Sequence, residues 1–457
     1  MKRKYLFFLA LTCIFASGCR KYVEIEQQGT RTLKYTTDYR YTMNNNSVFE
    51  GTFGYPILTG DDTEINDATR QNALNDILGN TYTWGEKFTS ATQSDGDWEK
   101  LYKAVYTCNE VIAGAMSSEG GTQSQKEQVY AEALVHRAYS YLMLVNLYAR
   151  QYTPASANTD LGVPLLTTPN LFTSLNRSSV AAVYTLILQD LQASIPKLPA
   201  TPDYNVRPAK VSAYAILART YLNMRDFTKA GIYADSALSL QNTLLDLKTY
   251  ESSPGTIPVR LKDPEIMLSK VVNGSYTAIS IDQSLLNSMG ATDLRYKLFT
   301  NTRGGYGSSF STAFTGRAFW RYTLNGEYVI VNGPSVPEMM FIKAECQARA
   351  GNAAGAMDII NNLRRKRFTD ANFTLLSASN ANDALELVVS EKRKEFFGTG
   401  LRWLDQKRLN LDPAFAQTKN RSFKGASYNL EPNSNRYLYP IGDKYILLNP
   451  ELEQNPR

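Results

Sequence analysis

Histidine is almost missing: His136 is the single one in 457 residues. It has no Cys or His partner at metal-ligand spacing, so a zinc site built on it is excluded. A Ser-His-Asp site would have to use it, and no Gly-x-Ser-x-Gly elbow accompanies it. Neither Gly-x-x-x-x-Gly-Lys nor Gly-x-Gly-x-x-Gly occurs, which removes two common phosphate-cradling loops. Cysteine is scarce, four in all. Cys13 and Cys19 lie at the N-terminus, and Cys108 and Cys346 fall inside expected helices. Spacing leaves a disulfide between the last two open, buried free thiols being the simpler reading. An excess of one charge sign is also lacking. Lys plus Arg number 49 against 43 Asp plus Glu, and three of those basic residues lie within the first four. That is no nucleic-acid footprint. No apolar run reaches the roughly 20 residues that a bilayer-spanning helix needs.

What is present begins with a short leader. Lys2, Arg3 and Lys4 precede the mostly apolar run Tyr5–Phe15, interrupted by Thr12, and small Ala16, Ser17 and Gly18 lead into Cys19. Basic start, short apolar stretch and small residues describe a secretory signal peptide over 1–18. Small residues directly before a cysteine fit lipoprotein processing, although Ala16 stands where a bulky Leu is more usual. Cys19 is then the lipid attachment site. Several acyl chains, at about 0.8 kcal/mol per buried methylene, anchor a protein without a spanning helix.

From residue 98 onward the chain reads as mostly α. Trp98, Leu101, Tyr102, Val105, Tyr106 and Ile112 recur at three and four. Helices are expected over 124–149, with Val129, Ala133, Val135, Ala138, Tyr141, Leu142, Val145 and Leu147 apolar, and over 178–195, capped by Ser178 or Ser179. Residues 208–240 form a helical hairpin with small contacts at Ala218, Ala230 and Ala234 and a turn at Asp226. Shifted by 126, Ala218, Asp226 and Ala230 fall on Ala344, Asn352 and Ala356. A weaker copy lies in YAEALVHRAYSYLMLVNLY. These are tetratricopeptide-like helix pairs, dispersed rather than tandem.

Two stretches break the pattern. Residues 250–337 are rich in Gly, Ser, Thr, Pro and aromatics and read as loops with short strands, such as Glu327–Val331. Residues 411–436 also read as irregular. The cluster Asp61, Asp62, Glu64 and Asp67 can raise a carboxylate pKa or hold calcium; a solvated acidic loop is the simpler expectation. No metal site and no cofactor is expected. A glycosidase needs only two carboxylates, so a hydrolase is kept as a minor reading.

Three segments carry a family resemblance: EKRKEFFGTGLRWLDQKR (391–408), PEMMFIKAECQARAGNAAGAMDIINNLRRKR (337–367) and RYLYPIGDKYILLNPELEQNP (436–456). Together with DWEKLYKAVYTCNEVI and VSAYAILARTYLNMRDFTKAGIYADSAL, they closely resemble the SusD/RagB family of Bacteroidetes surface lipoproteins. The resemblance implies a SusD-like fold, a tetratricopeptide-like helical-hairpin scaffold with an irregular, loop-rich ligand face. It implies one unit over 19–457, with an N-terminal half (19–240) and a C-terminal half (260–457). It also implies a non-catalytic role: a nutrient-binding lipoprotein on the outer membrane that captures oligosaccharide and delivers it to a SusC-like TonB-dependent transporter. Peptide capture, or a purely structural place in the transporter complex, are the alternatives. Arg20 and Lys21 follow Cys19 where acidic residues are usual for members exposed at the cell surface.

The motif residues themselves read as structural. Phe396, Phe397, Leu401, Trp403 and Leu404 are expected to pack a helix bent near Gly398 and Gly400, and Arg393, Arg402 and Arg408 to tie loops by charge-assisted hydrogen bonds. Sugars stack their C–H faces on aromatic rings, so ligand contacts are sought in loops. The candidates are Tyr82 with Trp84, Trp320 with Tyr322 beside Arg317 and Arg321, Tyr306 with Phe310, and Tyr55 with Phe53.

Overall fold

The computed structural model describes residues 33–457 except 273–275, 277, 320 and 322–325. Among these, nine helices have nine residues or more: α1 Gly96–Gly114, α2 Gln123–Tyr148, α3 Val180–Ser194, α4 Lys210–Met224, α5 Phe227–Leu240, α6 Val336–Arg349, α7 Ala353–Arg364, α8 Ala381–Phe396 and α9 Leu401–Leu409. The described strands form four two-stranded antiparallel ribbons. β1 (Leu161–Pro164) pairs β2 (Arg177–Ser179), β3 (Val271–Val272) pairs β6 (Ile330–Val331), β4 (Thr300–Asn301) pairs β5 (Ala318–Phe319), and β7 (Lys419–Phe423) pairs β8 (Ala426–Leu430).

Local chemistry starts most helices where the sequence points. Asp95 Oδ1 accepts from the amides of Asp97 and Trp98, and Ser179 Oγ accepts from Ala182. Thr122 and Gln125 exchange bonds as a capping box. Asp226 and Asn352, related by the 126-residue shift, are both N-caps, accepting from Lys229 and Gly355. The residue before each cap is left-handed, Arg225 at φ 63° and Gly351 at φ 88°. The same turn is therefore made twice, once with glycine and once with an arginine held by Asp412 at 2.7 Å.

Each long helix packs on its neighbour in sequence from α1 to α5, and α5 then packs on α6, across the irregular residues 241–335. The hairpins are dispersed in sequence but continuous in space. Ala218, Ala230, Ala344 and Ala356, fully buried, let the axes approach. Helix α2 is buried on every side from Ala131 to Tyr148, so its polar side chains must be matched internally. Arg137 forms a two-pronged pair with Asp190, both bonds 2.8 Å, and Glu132 meets Arg40 at 2.6 Å. His136 stacks on Phe49 at 4.7 Å. Cys108 and Cys346 are separate, buried free thiols.

Three local expectations are corrected. Residues 391–408 are two helices rather than one bent helix: Gly398 and Gly400, at φ 71° and 85°, stop α8 and start α9. The strand expected over Glu327–Val331 is only Ile330–Val331. Residues 411–436 contain the regular β7–β8 ribbon, in which Lys424 (φ 48°) and Gly425 (φ 80°) make the two-residue turn of positive-φ type that matches strand twist. Only ASYNL alternates apolar and polar letters; KNRSF does not, because its inward residue Arg421 is charged.

Helix α8 fastens the irregular segment to the stack. Glu391 and Glu395 lie one turn apart. Arg295 reaches both, at 3.0 and 3.2 Å, and Arg367 joins Glu395 at 2.7 Å to Glu265 at 2.8 Å. Arg321 also contacts Glu265 at 2.9 Å. Burial raises the Glu391 carboxyl, but Arg295, Lys394 and Arg364 overcome it and hold the pKa at about 2. Glu395→Ala is expected to cost about 3 kcal/mol in urea unfolding, because Arg295 and Arg367 each lose one buried carboxylate partner and keep only Asp293, Glu391 and Glu265 between them. Gly351→Ala, at a left-handed turn with open space around it, is expected to cost only about 1–2 kcal/mol. Gly400→Ala exceeds it, since a Cβ there also meets Pro56 at 3.0 Å.

Candidate functional site

The α8–α9 junction also shapes a polar cleft. Arg393 and Arg402 leave the two helices toward the loop after the short helix Pro56–Thr59. Arg402 Nε donates to Asp61 at 2.7 Å, and Arg393 Nε to Asp62 at 2.7 Å. Arg393 also reaches Asp282 at 3.3 Å, and Lys419 from β7 completes the set on Asp61 at 3.0 Å. The acidic cluster is therefore not a solvated loop: opposite charges supplied by distant segments hold Asp61 and Asp62. Asp67 turns elsewhere, accepting from Arg70 N at 2.9 Å and from Ser311 Oγ at 2.5 Å. Because its members face different partners, the cluster converges on no common point. No group of three His, Cys, Asp or Glu able to hold a metal ion occurs among the described residues.

Burial alone would raise the Asp61 carboxyl; Arg402, Arg393 and Lys419 outweigh it and hold the pKa well below the usual range. Asp62 goes the other way, raised because burial exceeds the pull of Arg393 and Asp61 repels it.

Arg421 on β7 is buried, and among the described residues no carboxylate pairs with it. Its guanidinium donates instead to backbone carbonyls of Leu58 (2.6 Å), Tyr82 (2.5 Å), Thr59 (3.2 Å) and Gly60. It lies over the rings of Tyr82 and Trp84 at 4.4 and 4.3 Å. One side chain thus satisfies the carbonyl ends of two short helices.

Around these groups opens a cleft of about 610 Å³, lined by Asp61, Thr63, Glu64, Asn66, Tyr82 and Asp282 and by Thr418 and the ribbon residues 419–422, 427 and 429. Neutral polar groups predominate: Thr63, Asn66, Thr418, Asn420, Ser422, Ser427 and Asn429. Asn420 faces Asn429 and Ser422 faces Ser427 across the ribbon, which sets amides and hydroxyls in a rigid array. Glu64 is pinned beside them. Its amide donates to Ser280 O at 3.2 Å, its carbonyl accepts from Ser280 Oγ, and its carboxylate accepts from Gln283 N at 3.2 Å. Sequence reading passed over Asn420, Ser422, Ser427 and Asn429, because it looked for rings and treated 411–436 as irregular.

The aromatic candidates fare differently. Trp84, Tyr82, Phe310, Tyr55 and Phe53 are core residues, each 4% exposed or less. Trp84 Nε1 donates to Thr59 O at 3.0 Å, Tyr82 Oη accepts from Ile65 N at 2.9 Å, and Tyr55 packs edge-on against Phe88. Arg421 covers the faces of the Tyr82 and Trp84 rings and Phe314 stacks on Phe310 at 4.0 Å, so these rings are packed inside the protein. Tyr82 contributes only to the cleft wall. Tyr306 is half-buried, packs edge-on against Phe310 at 5.9 Å and donates to Phe319 O. Arg317 lies over Tyr296 at 4.5 Å and donates to Thr300 O at 3.0 Å. Neither Tyr306 nor Arg317 lines the cleft. Trp320, Tyr322 and Cys19 lie outside the described residues.

Asp61→Asn is expected to lower stability by roughly 3 kcal/mol at pH 7, by leaving Arg402 and Lys419 unmatched. A depressed folded-state pKa contributes stability that is present above the unfolded value and lost on acidification. The wild type should therefore lose an increment below about pH 3.8 that the variant does not lose, read from urea midpoints at pH 7 and pH 3.

Comparison with known proteins agrees with this architecture. A family profile described as "Starch-binding associating with outer membrane" matches residues 50–222, and one described as "SusD family" matches 336–457. A SusD-like protein of Formosa agariphila is 29% identical over 123 residues, 26% of this chain and 22% of that protein. The matched stretch is thus under a quarter of the relative's length. A SusD superfamily crystal structure from Bacteroides thetaiotaomicron shares the fold with a TM-score of 0.73 at 19% identity, covering 93% of this chain and 100% of that one. A SusD-like carbohydrate-binding protein from Bacteroides vulgatus gives 0.68 at 20% identity, covering 92% and 97%. A structure described as a laminarin-binding SusD-like protein gives 0.67 at 17%, covering 93% and 99%. Among the described residues no helix is long and apolar enough to cross a membrane. With paired tetratricopeptide-like helices, an irregular face tied down by α8 and α9, and profile matches in both halves, this chain belongs to the SusD/RagB family.

Proposed function

We propose that residues 19–457 act as one lipid-anchored unit that captures nutrient oligosaccharide at the outer membrane and passes it to a SusC-like TonB-dependent transporter, without turnover. The observation that carries this reading is the cleft of about 610 Å³ whose lining is mostly Asn, Ser and Thr. Sugar hydroxyls both donate and accept, and amides and hydroxyls match them in either role. The cleft is built from the irregular segments and the β7–β8 ribbon, so the paired helices contribute none of its lining. Family membership supports the glycan class, and relatives of the same fold are described as carbohydrate-binding and laminarin-binding. Trp320 and Tyr322 remain the proposed stacking rings. Cys19 carries the lipid, and the membrane is reached through it alone.

Peptide capture is the second reading. It has one observation behind it: among the described residues β7 and β8 pair only with each other, so each leaves an outer edge to which an extended peptide can add as a strand.

Calorimetric titration against oligosaccharide and peptide panels tests both readings. At least one oligosaccharide should bind. The double variant Asn420→Ala, Asn429→Ala should weaken it about tenfold, two hydrogen bonds at about 0.5–1.5 kcal/mol each, with unchanged thermal unfolding. Binding confined to peptides, or no effect of the double variant, would sink the glycan reading of this cleft. Cys19→Ala should move the protein out of the membrane fraction. A gentle detergent pull-down should recover an outer-membrane barrel, and its absence would count against delivery.

A further inference from the structure

The charges around the cleft are distributed unevenly, and this bears on which glycans it takes. Its lining contains two cations, Lys419 and Arg421. Lys419 is engaged by Asp61 at 3.0 Å. Arg421 is 9% exposed and turns its guanidinium inward to four backbone carbonyls. Behind them Arg393 and Arg402 are committed to Asp61, Asp62 and Asp282. Every positive charge at the site therefore has its partners inside the protein.

The carboxylates are not balanced in the same way. Asp61 and Asp282 are ion-paired. Glu64 is part-exposed, and no cationic side chain pairs with it among the described residues; its carboxylate accepts one backbone hydrogen bond, from Gln283. Backbone bonds to Ser280 on both its amide and its carbonyl hold it in place. The cleft thus presents one pinned, unmatched negative charge among neutral amides and hydroxyls.

Resting on the glycan reading above, we infer that this cleft selects uncharged oligosaccharides and rejects uronate and sulfated ones, with Glu64 as the residue that sets the discrimination. A neutral sugar places hydroxyl donors on the free carboxylate lone pairs and finds partners in Asn66, Asn420 and Asn429. A uronate or sulfate entering the same space finds no available cation and meets a like charge in a partly desolvated site. Built-in repulsion of this kind is an established route to specificity.

The test compares neutral gluco-, manno- and xylo-oligosaccharides with oligogalacturonate and a sulfated galactan of matched length, by calorimetry on the full chain in mild detergent at low and high salt. The wild type should bind at least one neutral series, and each acidic probe at least tenfold more weakly, the gap narrowing in high salt. Glu64→Gln, which keeps the side-chain shape, should tighten the acidic probes at least threefold and weaken the neutral ligand, which loses a charged acceptor, so that the ratio between the two classes falls more than threefold. Unchanged thermal unfolding is the folding control. An acidic glycan bound as tightly as any neutral one overturns the selection but leaves glycan capture standing. So does a Glu64→Gln variant with an unchanged ratio between the two classes. No binding to any glycan overturns both.

Discussion

The contact on which the rest depends is the buried meeting of α8 carboxylates with guanidinium groups from outside the helical stack. Glu391 and Glu395 receive Arg295 and Arg367, and Glu265 joins through Arg367. The irregular residues between α5 and α6 have only scattered ladder hydrogen bonds, so their position has to come from side chains. Burying so many charges is costly, and such networks add little net stability over a well-packed apolar core. What they supply is uniqueness: a charge out of place here has no water to fall back on.

The same helix pair extends this logic to the surface. Arg393 and Arg402 carry the chain of opposite charges out to Asp61, Asp62 and Asp282, while Arg408 ties α9 back to Glu345 on α6 at 2.6 Å. Trp403, fully buried, stacks on Tyr437 at 4.8 Å and Tyr439 at 5.8 Å, joining α9 to the C-terminal segment. Asn455 then closes that segment on the carbonyls of Tyr148 and Tyr439. The motif EKRKEFFGTGLRWLDQKR is therefore a junction, and the polar cleft is a by-product of where its arginines reach.

Helices, caps and the 126-residue repeat were legible because each is a local property. Spacing of three and four marks a buried face, and a side-chain oxygen caps the amides next to it. Asp226 and Asn352 were readable as equivalent turns for that reason. The motif arginines and Trp403 were legible as structural for a related reason, since a dense cluster of charges and rings flanking two glycines has to be packed against something. The β7–β8 ribbon was half legible: ASYNL and the Lys-Gly turn are in the letters, while β7 buries the charged Arg421 where an apolar residue would mark the inward face.

The candidate site was not legible in the same way. An exposed tryptophan and a buried one look alike in a loop, because irregular backbone gives no period from which to infer which side faces water. Trp84 and Tyr82 were covered by Arg421, a residue more than 300 positions away, and Asp61 and Asp62 were neutralised by arginines equally distant. By itself, then, the sequence determined a mostly helical scaffold of paired hairpins, its turns and its family, all carried by short-range patterns. Only the tertiary structure decided which charges cancel, which rings are core and where the cleft opens, because pairing between remote segments, unlike helical period, leaves no mark in any single stretch of chain.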